Sequence, residues 1–252
     1  MTFKLPTSSD PNAMLVLLKP LSRGLVYFIV SLAVGGIIAT LTLNNHNQNL
    51  IAQEPKAGTK QPLETGFVPL FDGTSFKGWE GNSDWFRIED GCIVAGNLTK
   101  PNPHNEFLCT ESKYGDFELK FEVRLKGEGD NAGVQFRSAR VPDKTEVSGF
   151  QCDIGNAWDR PVWGSLYDES RRNKMMAEGE KEKVLSVLKQ GTWNALTIRA
   201  QGDRIQIWLN GKPTVDYTES DTTIPKSGII GLQIHSGPPT EAWYRNLSIK
   251  PL

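Results

Sequence analysis

Apolar and polar residues alternate with a period of two along most of the chain after Gly66. In "DFELKFEVRL", Phe117, Leu119, Phe121, Val123 and Leu125 fall on one side, and Glu118, Lys120, Glu122 and Arg124 on the other. Strand side chains point alternately to opposite faces, so this run predicts a strand with one core face and one solvated face. "NALTIRAQGDRIQIWLNGKPTVDY" predicts three more strands, broken at Gly202–Asp203 and at Asn210–Gly211, where positive φ is wanted. "GIIGLQIHSG" and "AWYRNLSIK" close the chain as strands. Short strands at this spacing predict an all-β domain over residues 66–252, a two-sheet sandwich or jelly roll. Residues 168–190, "DESRRNKMMAEGEKEKVLSVLKQ", break the alternation. They predict a long charged loop with one helical turn, the kind of segment that walls a site.

A different pattern precedes the domain. "LVYFIVSLAVGGIIATLTL", Leu25 to Leu43, contains no charged residue, and a bilayer is crossed by about 20 apolar residues. Residues 1–24 carry Lys4, Lys19 and Arg23 against Asp10 alone. Positive charge keeps that end in the cytoplasm and sends the rest across. Residues 25–43 are therefore either an uncleaved signal anchor or a signal peptide with a long apolar region. "LIAQ", at Leu50 to Gln53, is a poor cleavage site because Leu50 is bulky, and no cysteine sits just after the run to carry a lipid. Both alternatives export the domain to the cell envelope or periplasm, anchored or released, behind a polar linker at 44–65.

Composition narrows the function classes. A formal net charge of -1 over 252 residues gives no electrostatic case for nucleic acid, and no basic stripe interleaves with aromatics. Cys92, Cys109 and Cys152 match no zinc spacing. Each lies in a strand-like run and reads as a small buried hydrophobe, with one disulfide between two of them left open.

The candidate chemistry lies on three strands. In "GFQCDIG", Phe150, Cys152 and Ile154 point one way and Gln151 and Asp153 the other. "VQFRS" places Gln135 and Arg137 together, and "LQIHS" places Gln233 and His235 together. Such residues on a single strand are ordinary solvated surface. Recurrence on three strands favours a site: if they share a sheet, three amides, an acid, a base and an imidazole form a polar floor. Sugar hydroxyls need such paired donors and acceptors. "NAWDRPVWGSLYDESRR" offers Trp158, Trp163 and Tyr167 to stack on sugar rings, with Trp85 and Trp243 further off. His104 and Glu106, in "PNPHNEF", are rim candidates. Walker loop, GxGxxG and HExxH are absent from the sequence, and Gly164–Ser165 is only part of a nucleophile elbow. No pair of carboxylates flanking a glycosidic bond is identifiable.

These pieces, in this order, resemble the 3-keto-disaccharide hydrolase domain family. "PLFDGTSFKGWEG", "EDGCIVAG", "YGDFELKFEVRL", "NAGVQFRS", "GFQCDIG", "WGSLYDESRRN", "WNALTIRAQGDRIQIWLNG" and "GLQIHSG…WYRNLSIKPL" carry the resemblance from about Phe67 to Leu252. It implies a concanavalin-like jelly roll, often exported, that cleaves disaccharides or glycosides already oxidised at C3. Two features depart from the pattern. Many members carry Glu and Gln where this chain has Gln151 and Asp153, and the charged loop at 178–188 is longer.

A C3 ketone acidifies the C2 proton, so a base removes it, the enolate forms, the C1 oxygen leaves and water adds back. Asp153 or His235 is the expected base, and Arg137 the group that stabilises the enolate oxygen. Gln135, Gln151 and Gln233 would hold hydroxyls, with Trp158, Trp163 and Tyr167 as stacking candidates. Asp168 and Glu169 would protonate the leaving group or bind a divalent cation. A divalent metal would polarise the ketone as Arg137 would, with His235, Asp153 and Glu106 as ligands. The competing classes are a non-catalytic carbohydrate-binding module and a structural adhesion domain of the envelope.

Overall fold

The computed structural model describes residues 63–252. The expected segments 1–24 and 25–43, and nearly all of the linker, lie outside the described residues. Among the described residues no helix is long and apolar enough to cross a membrane.

The strands run in order β1 (Val68–Pro69), β2 (Trp79–Glu80), β3 (Phe86–Glu89), β4 (Cys92–Asn97), β5 (Glu106–Thr110), β6 (Phe117–Gly127), β7 (Asn131–Arg140) and β8 (Val147–Ala157). Then come β9 (Arg160–Pro161), β10 (Leu166–Glu169), β11 (Lys174–Ala177), the short helix α1 (Lys181–Val187), β12 (Asn194–Gln201), β13 (Arg204–Leu209), β14 (Lys212–Thr218), β15 (Ile229–Ile234) and β16 (Thr240–Pro251). They form two antiparallel sheets. The back sheet has the order β14-β13-β12-β6-β16-β4-β3, with β1 added to β16. The front sheet has the order β11-β10-β8-β7-β15-β5-β2, with β9 added to β8. This is the predicted two-sheet jelly-roll sandwich. Non-consecutive neighbours such as β6 beside β16, and β7 beside β15, make its long crossovers.

The alternation seen in the sequence becomes the core. Phe117, Leu119, Phe121 and Val123 of β6 are buried against Phe136 of β7 and Phe150 and Ile154 of β8. Phe136 and Phe150 are cross-strand partners with ring centroids 5.8 Å apart. Phe117 meets Phe136 edge-on at 6.2 Å. Each such ring contributes roughly 1.5–3 kcal/mol by leaving water. Tyr244 crosses from the back sheet, and its hydroxyl donates to the Gln233 carbonyl at 2.6 Å, with the Gly133 carbonyl 3.2 Å away. It ties the back sheet to β7 and β15, two of the three front strands that carry the polar residues. The three cysteines are free and buried, as small hydrophobes.

The segment 168–190 is more ordered than a loop. Its start is the end of β10, its middle is β11 at the sheet edge, and α1 follows, docked through Val184. The edge pairing with β10 supplies order that the charged sequence conceals.

Candidate functional site

Backbone register brings the predicted polar residues to one face. At one level across the front sheet, Gly231 of β15 faces Gln135, which faces Gln151, which faces Tyr167. At the next level Gln233 faces Gly133, which faces Asp153. Alternation sends the intervening Val134, Cys152, Leu166 and Leu232 into the core. Gln135, Gln151, Gln233, Asp153 and Tyr167 therefore share the outer face of the front sheet. The floor is sunken where the row runs through glycine. A methyl group at Gly133 would sit 2.5 Å from Cδ of Gln151, so only glycine lets that amide lie flat and reach Asp153.

The floor is linked by hydrogen bonds. Gln135 Nε2 donates to Gln151 Oε1 at 2.9 Å, and Gln151 Nε2 donates to Asp153 Oδ1 at 2.8 Å. Only Oδ1 of Asp153 is engaged; among the described residues Oδ2 has no hydrogen-bond partner. Asp153 is 5% exposed, and burial pushes its carboxyl up to about 7. Gln151 opposes that rise, the carboxylates of Glu169 and Glu178 add to it, and Arg160 opposes it. Glu169 is likewise pushed up to about 7, by burial first and then by Glu146. The Tyr167 hydroxyl is held neutral by burial and by the charges of Glu169, Asp153 and Asp168.

Gln233 is the outlier. Its side chain is fully buried, and among the described residues neither its amide nitrogen nor its oxygen has a partner. Buried polar groups are nearly always hydrogen-bonded. An amide left open in both senses at the bottom of a polar floor is a place for a ligand to bond. Over this floor stands Trp158, 62% exposed, at φ 49° and with its ring centroid 5.9 Å from that of Tyr167. Arg160 lies 5.4 Å from the Trp158 ring and forms an ion pair with Glu178. An exposed indole beside open donors and acceptors is how a protein holds a sugar ring.

Comparison with known proteins agrees with that chemistry. Residues 66–250 match the model of the 3-keto-alpha-glucoside-1,2-lyase-like domain. The chain belongs to this family. A 3-keto-disaccharide hydrolase of Bacteroides thetaiotaomicron is 22% identical over 233 residues, covering 74% of this chain and 79% of the relative. A solved structure from Parabacteroides distasonis, classed provisionally as a glycosyl hydrolase, superposes with a TM-score of 0.55 at 20% identity, covering 74% of this chain and 94% of that one. A Bacillus subtilis protein of unknown function with a galectin-like fold superposes with a TM-score of 0.54 at 12% identity, covering 73% of this chain and 94% of that one. These solved structures share the two-sheet jelly-roll fold of this chain.

Several predicted site residues of this 3-keto-alpha-glucoside-1,2-lyase-like domain lie elsewhere. Arg137 is turned away by a bulge in β7, where the pairing with β8 skips between Phe136 and Ala139. Its guanidinium donates to the carbonyls of Gly115 and Gly202 and to Asp116, at 2.9, 2.7 and 2.7 Å, and pins the β12–β13 turn. Asp168 follows the alternation to the opposite side from Tyr167. It is fully buried and ion-paired with Arg171 and Arg172 beside Phe150, so it is structural. Trp163 packs in the core, and Trp243 lies on the back sheet against Trp193 and Cys92. Glu106 faces Ile234 in register and so shares the core side of its strand. Its carboxyl is pushed up by burial, with Asn82, His104 and Arg140 opposing.

His235 lies just past β15, and alternation from Gln233 places it on the floor side. Its Nδ1 is 2.7 Å from the Ser236 carbonyl, which only accepts, so Nδ1 is the donor of that hydrogen bond. Among the described residues no group of three or more His, Cys, Asp and Glu side chains is placed to hold a metal ion. Three residues join the site that sequence reasoning missed: Arg160, Glu178 and, beneath the floor, Ser138. Arg160 had a signal, since it stands two residues after Trp158 on the same short excursion. Glu178 belongs to the charged segment predicted as a wall.

Proposed function

We propose that the chain cleaves glycosides whose sugar carries a ketone at C3, by elimination and rehydration. The observation that carries this is Asp153: a buried carboxyl held by one oxygen, free at the other, in the same row of the front sheet as the open amide of Gln233, with Gly133 between them. A general base works best with a pKa near the operating pH, and burial sets Asp153 at about 7. Asp153 Oδ2 takes the C2 proton. The C–H electrons form the C1–C2 double bond, conjugated with the ketone, as the C1–O bond breaks. Gln233 Nε2 donates to the ketone oxygen, where negative charge develops. Tyr167, neutral and one row from Asp153, donates its proton to the departing oxygen. The proton on Asp153 then exchanges with solvent, water adds at C1 while Asp153 delivers a solvent-derived proton to C2, and Tyr167 is reprotonated from water. The sugar lies against Trp158. Asp153 thereby takes the expected role of base. Gln233 takes the role expected of Arg137, whose own donors are spent.

We place the reaction outside the cytoplasm, on the uncharged run Leu25–Leu43 behind Lys4, Lys19 and Arg23. The test is turnover of a 3-keto-disaccharide by the full-length chain in deuterated water, with the unoxidised disaccharide as control. Release of both sugars from the keto form alone, with deuterium at C2 of the product, supports the mechanism. Binding without release from either would leave a carbohydrate-binding surface and remove the enzyme.

A further inference from the structure

We infer that Ser138 is a positioning residue for Asp153, acting from the far end of a one-way hydrogen-bond chain; the inference rests on Asp153 being the base. Ser138 Oγ lies 2.8 Å from Gln135 Oε1, and the links from Gln135 to Gln151 and from Gln151 to Asp153 follow at 2.9 and 2.8 Å. An ionised carboxylate only accepts, so the Gln151 atom facing it must be Nε2. Gln151 Oε1 must then accept from Gln135 Nε2, which leaves Gln135 Oε1 turned to the other end, needing a donor. The Ser138 hydroxyl is that donor. It has one proton and three acceptors in reach: Gln135 Oε1, the Phe136 carbonyl at 2.8 Å and the Phe150 carbonyl at 3.3 Å. When it donates to Gln135, every dipole in the chain points its positive end at Asp153. Oδ1 is then fixed as acceptor, and Oδ2 is left to exchange the proton.

The backbone is bent to make this possible. Between Phe136 and Ala139, Arg137 and Ser138 of β7 oppose Gly149 alone, a bulge of two residues against one. Arg137 sits at φ 48°, a left-handed conformation that a non-glycine residue adopts only when its surroundings impose it. Without the bulge, alternation would send Arg137 to the floor and Ser138 into the core; with it, Arg137 leaves the floor and Ser138 reaches Gln135. The neighbouring strands make room. A methyl group at Gly149 would sit 2.7 Å from Ser138 Cβ, and one at Gly228 2.5 Å from the Arg137 carbonyl carbon. Ser138, Gln135 and Gln151 are all buried, so water does not substitute for a missing link. The charged and titratable groups around Asp153 are Glu169 and Tyr167 from β10, Arg160 from β9, Glu178 before α1, Cys152 on its own strand and His235 after β15. None of them belongs to the chain.

Removing the hydroxyl frees Gln135 and then Gln151 to turn over, presenting an oxygen to Asp153 that only a protonated carboxyl tolerates. The experiment is the pH profile of kcat/KM on a 3-keto-disaccharide for the full-length chain, its Ser138→Ala and Gln135→Met variants, and Asp153→Asn. Both chain-breaking variants should move the acidic limb upward by roughly one pH unit, the size of one lost hydrogen bond to a charged group, with KM little changed. In the unmodified chain, the side-chain amide resonances of Gln135 and Gln151 should titrate together with the Asp153 carboxyl, a measurement that needs neither variant to fold. Amides that do not follow Asp153, or limbs that stay in place in both variants while Asp153→Asn is inactive, overturn the chain alone. An Asp153→Asn protein that keeps its turnover overturns the base assignment beneath it.

Discussion

The outer faces of the two sheets come from strands with the same alternation, and their polar residues meet opposite circumstances. On the back sheet the polar residues of β6 are long and charged, and they are answered. Arg245 pairs with Glu122 at 2.6 Å, Lys120 with Glu64 at 2.6 Å, and Arg124, whose Nε is buried without a hydrogen-bond partner among the described residues, is held instead over the rings of Trp193 and Trp243. On the front sheet the polar residues are mostly amides, interrupted by glycine and sunk out of solvent. Among the described residues Asp153 accepts a single hydrogen bond, from an uncharged group, and Gln233 makes none with its side chain. Burial without a matching charge raises the free energy of the folded state unless a ligand supplies the missing partners. The back face is thus a finished surface, and the front face is an unfinished one that a polar ligand completes.

Asp153→Asn breaks the contrast at its strongest point. Loss of a general base lowers turnover by about 10²–10⁴-fold, with substrate binding retained because the amide keeps the floor's shape. The same change should stabilise the fold at high pH. The folded carboxyl, at about 7, lies above its unfolded value, so between about 4 and 7 the folded state holds the extra proton. Stability therefore falls as pH rises through that window, by a ceiling on the order of 4 kcal/mol. Thermal unfolding at pH 5 and pH 8 checks it: the variant should show a smaller fall than the wild type, the remainder coming from Glu169, which burial also pushes up to about 7. Equal pH dependence in both proteins would mean that Asp153 is not the strained group.

Gln233→Leu separates ligand chemistry from packing. If the open amide awaits a substrate oxygen, replacing it loses about 10²-fold in kcat. It also removes two unsatisfied buried atoms, so the fold should gain about 1–3 kcal/mol. Steady-state kinetics and denaturant titration on the same preparation decide it; a destabilised variant with normal kcat would make Gln233 a structural residue.

How much of this contrast could be read from sequence depends on where the strands stay regular. β6, β8 and β15 keep strict alternation, so their core faces and the shared outer placement of Gln151, Asp153 and Gln233 were legible. "VQFRSAR" looks equally regular, yet its bulge slips the phase by one residue and exchanges Arg137 for Ser138. Nothing local marks the slip, because its accommodation comes from glycines on two other strands. Asp168 was misplaced for a different reason. Alternation from Tyr167 already sends it inward, and its acidic side chain drew attention away from that parity. Whether the three Gln strands share a sheet depends on long crossovers, and here the family resemblance decided what periodicity leaves open.

Trp158→Ala tests the rim of the front face. Its ring is largely exposed, near Tyr167 and Arg160, so the fold should not notice the loss. Stacking on a sugar ring is worth roughly 1 kcal/mol, about fivefold in KM, with kcat unchanged. A fall in kcat instead would place the indole against the reacting sugar's transition state and not only its ground state.

Lys120→Ala supplies the smallest effect and the control from the back face. Lys120 pairs with Glu64, which is largely exposed, and lies 4.6 Å from the centroid of the Phe67 ring. Exposed ion pairs contribute about 0–1 kcal/mol, and a cation over the buried Phe67 ring adds about 0.5–2 kcal/mol. The variant should lower Tm by about 2–4 °C for each kcal/mol lost in a domain of this size. Added salt should shrink the ion-pair share of that difference, because exposed charges are screened within about 10 Å at 0.1 M. Turnover and its pH profile should stay those of the wild type, since Lys120 belongs to the opposite sheet from Asp153. A shifted acidic limb in Lys120→Ala would mean that charge on the back face reaches the floor through the sandwich. The two faces would then no longer be independent, and the pH behaviour assigned to the front face alone would have to be shared between them.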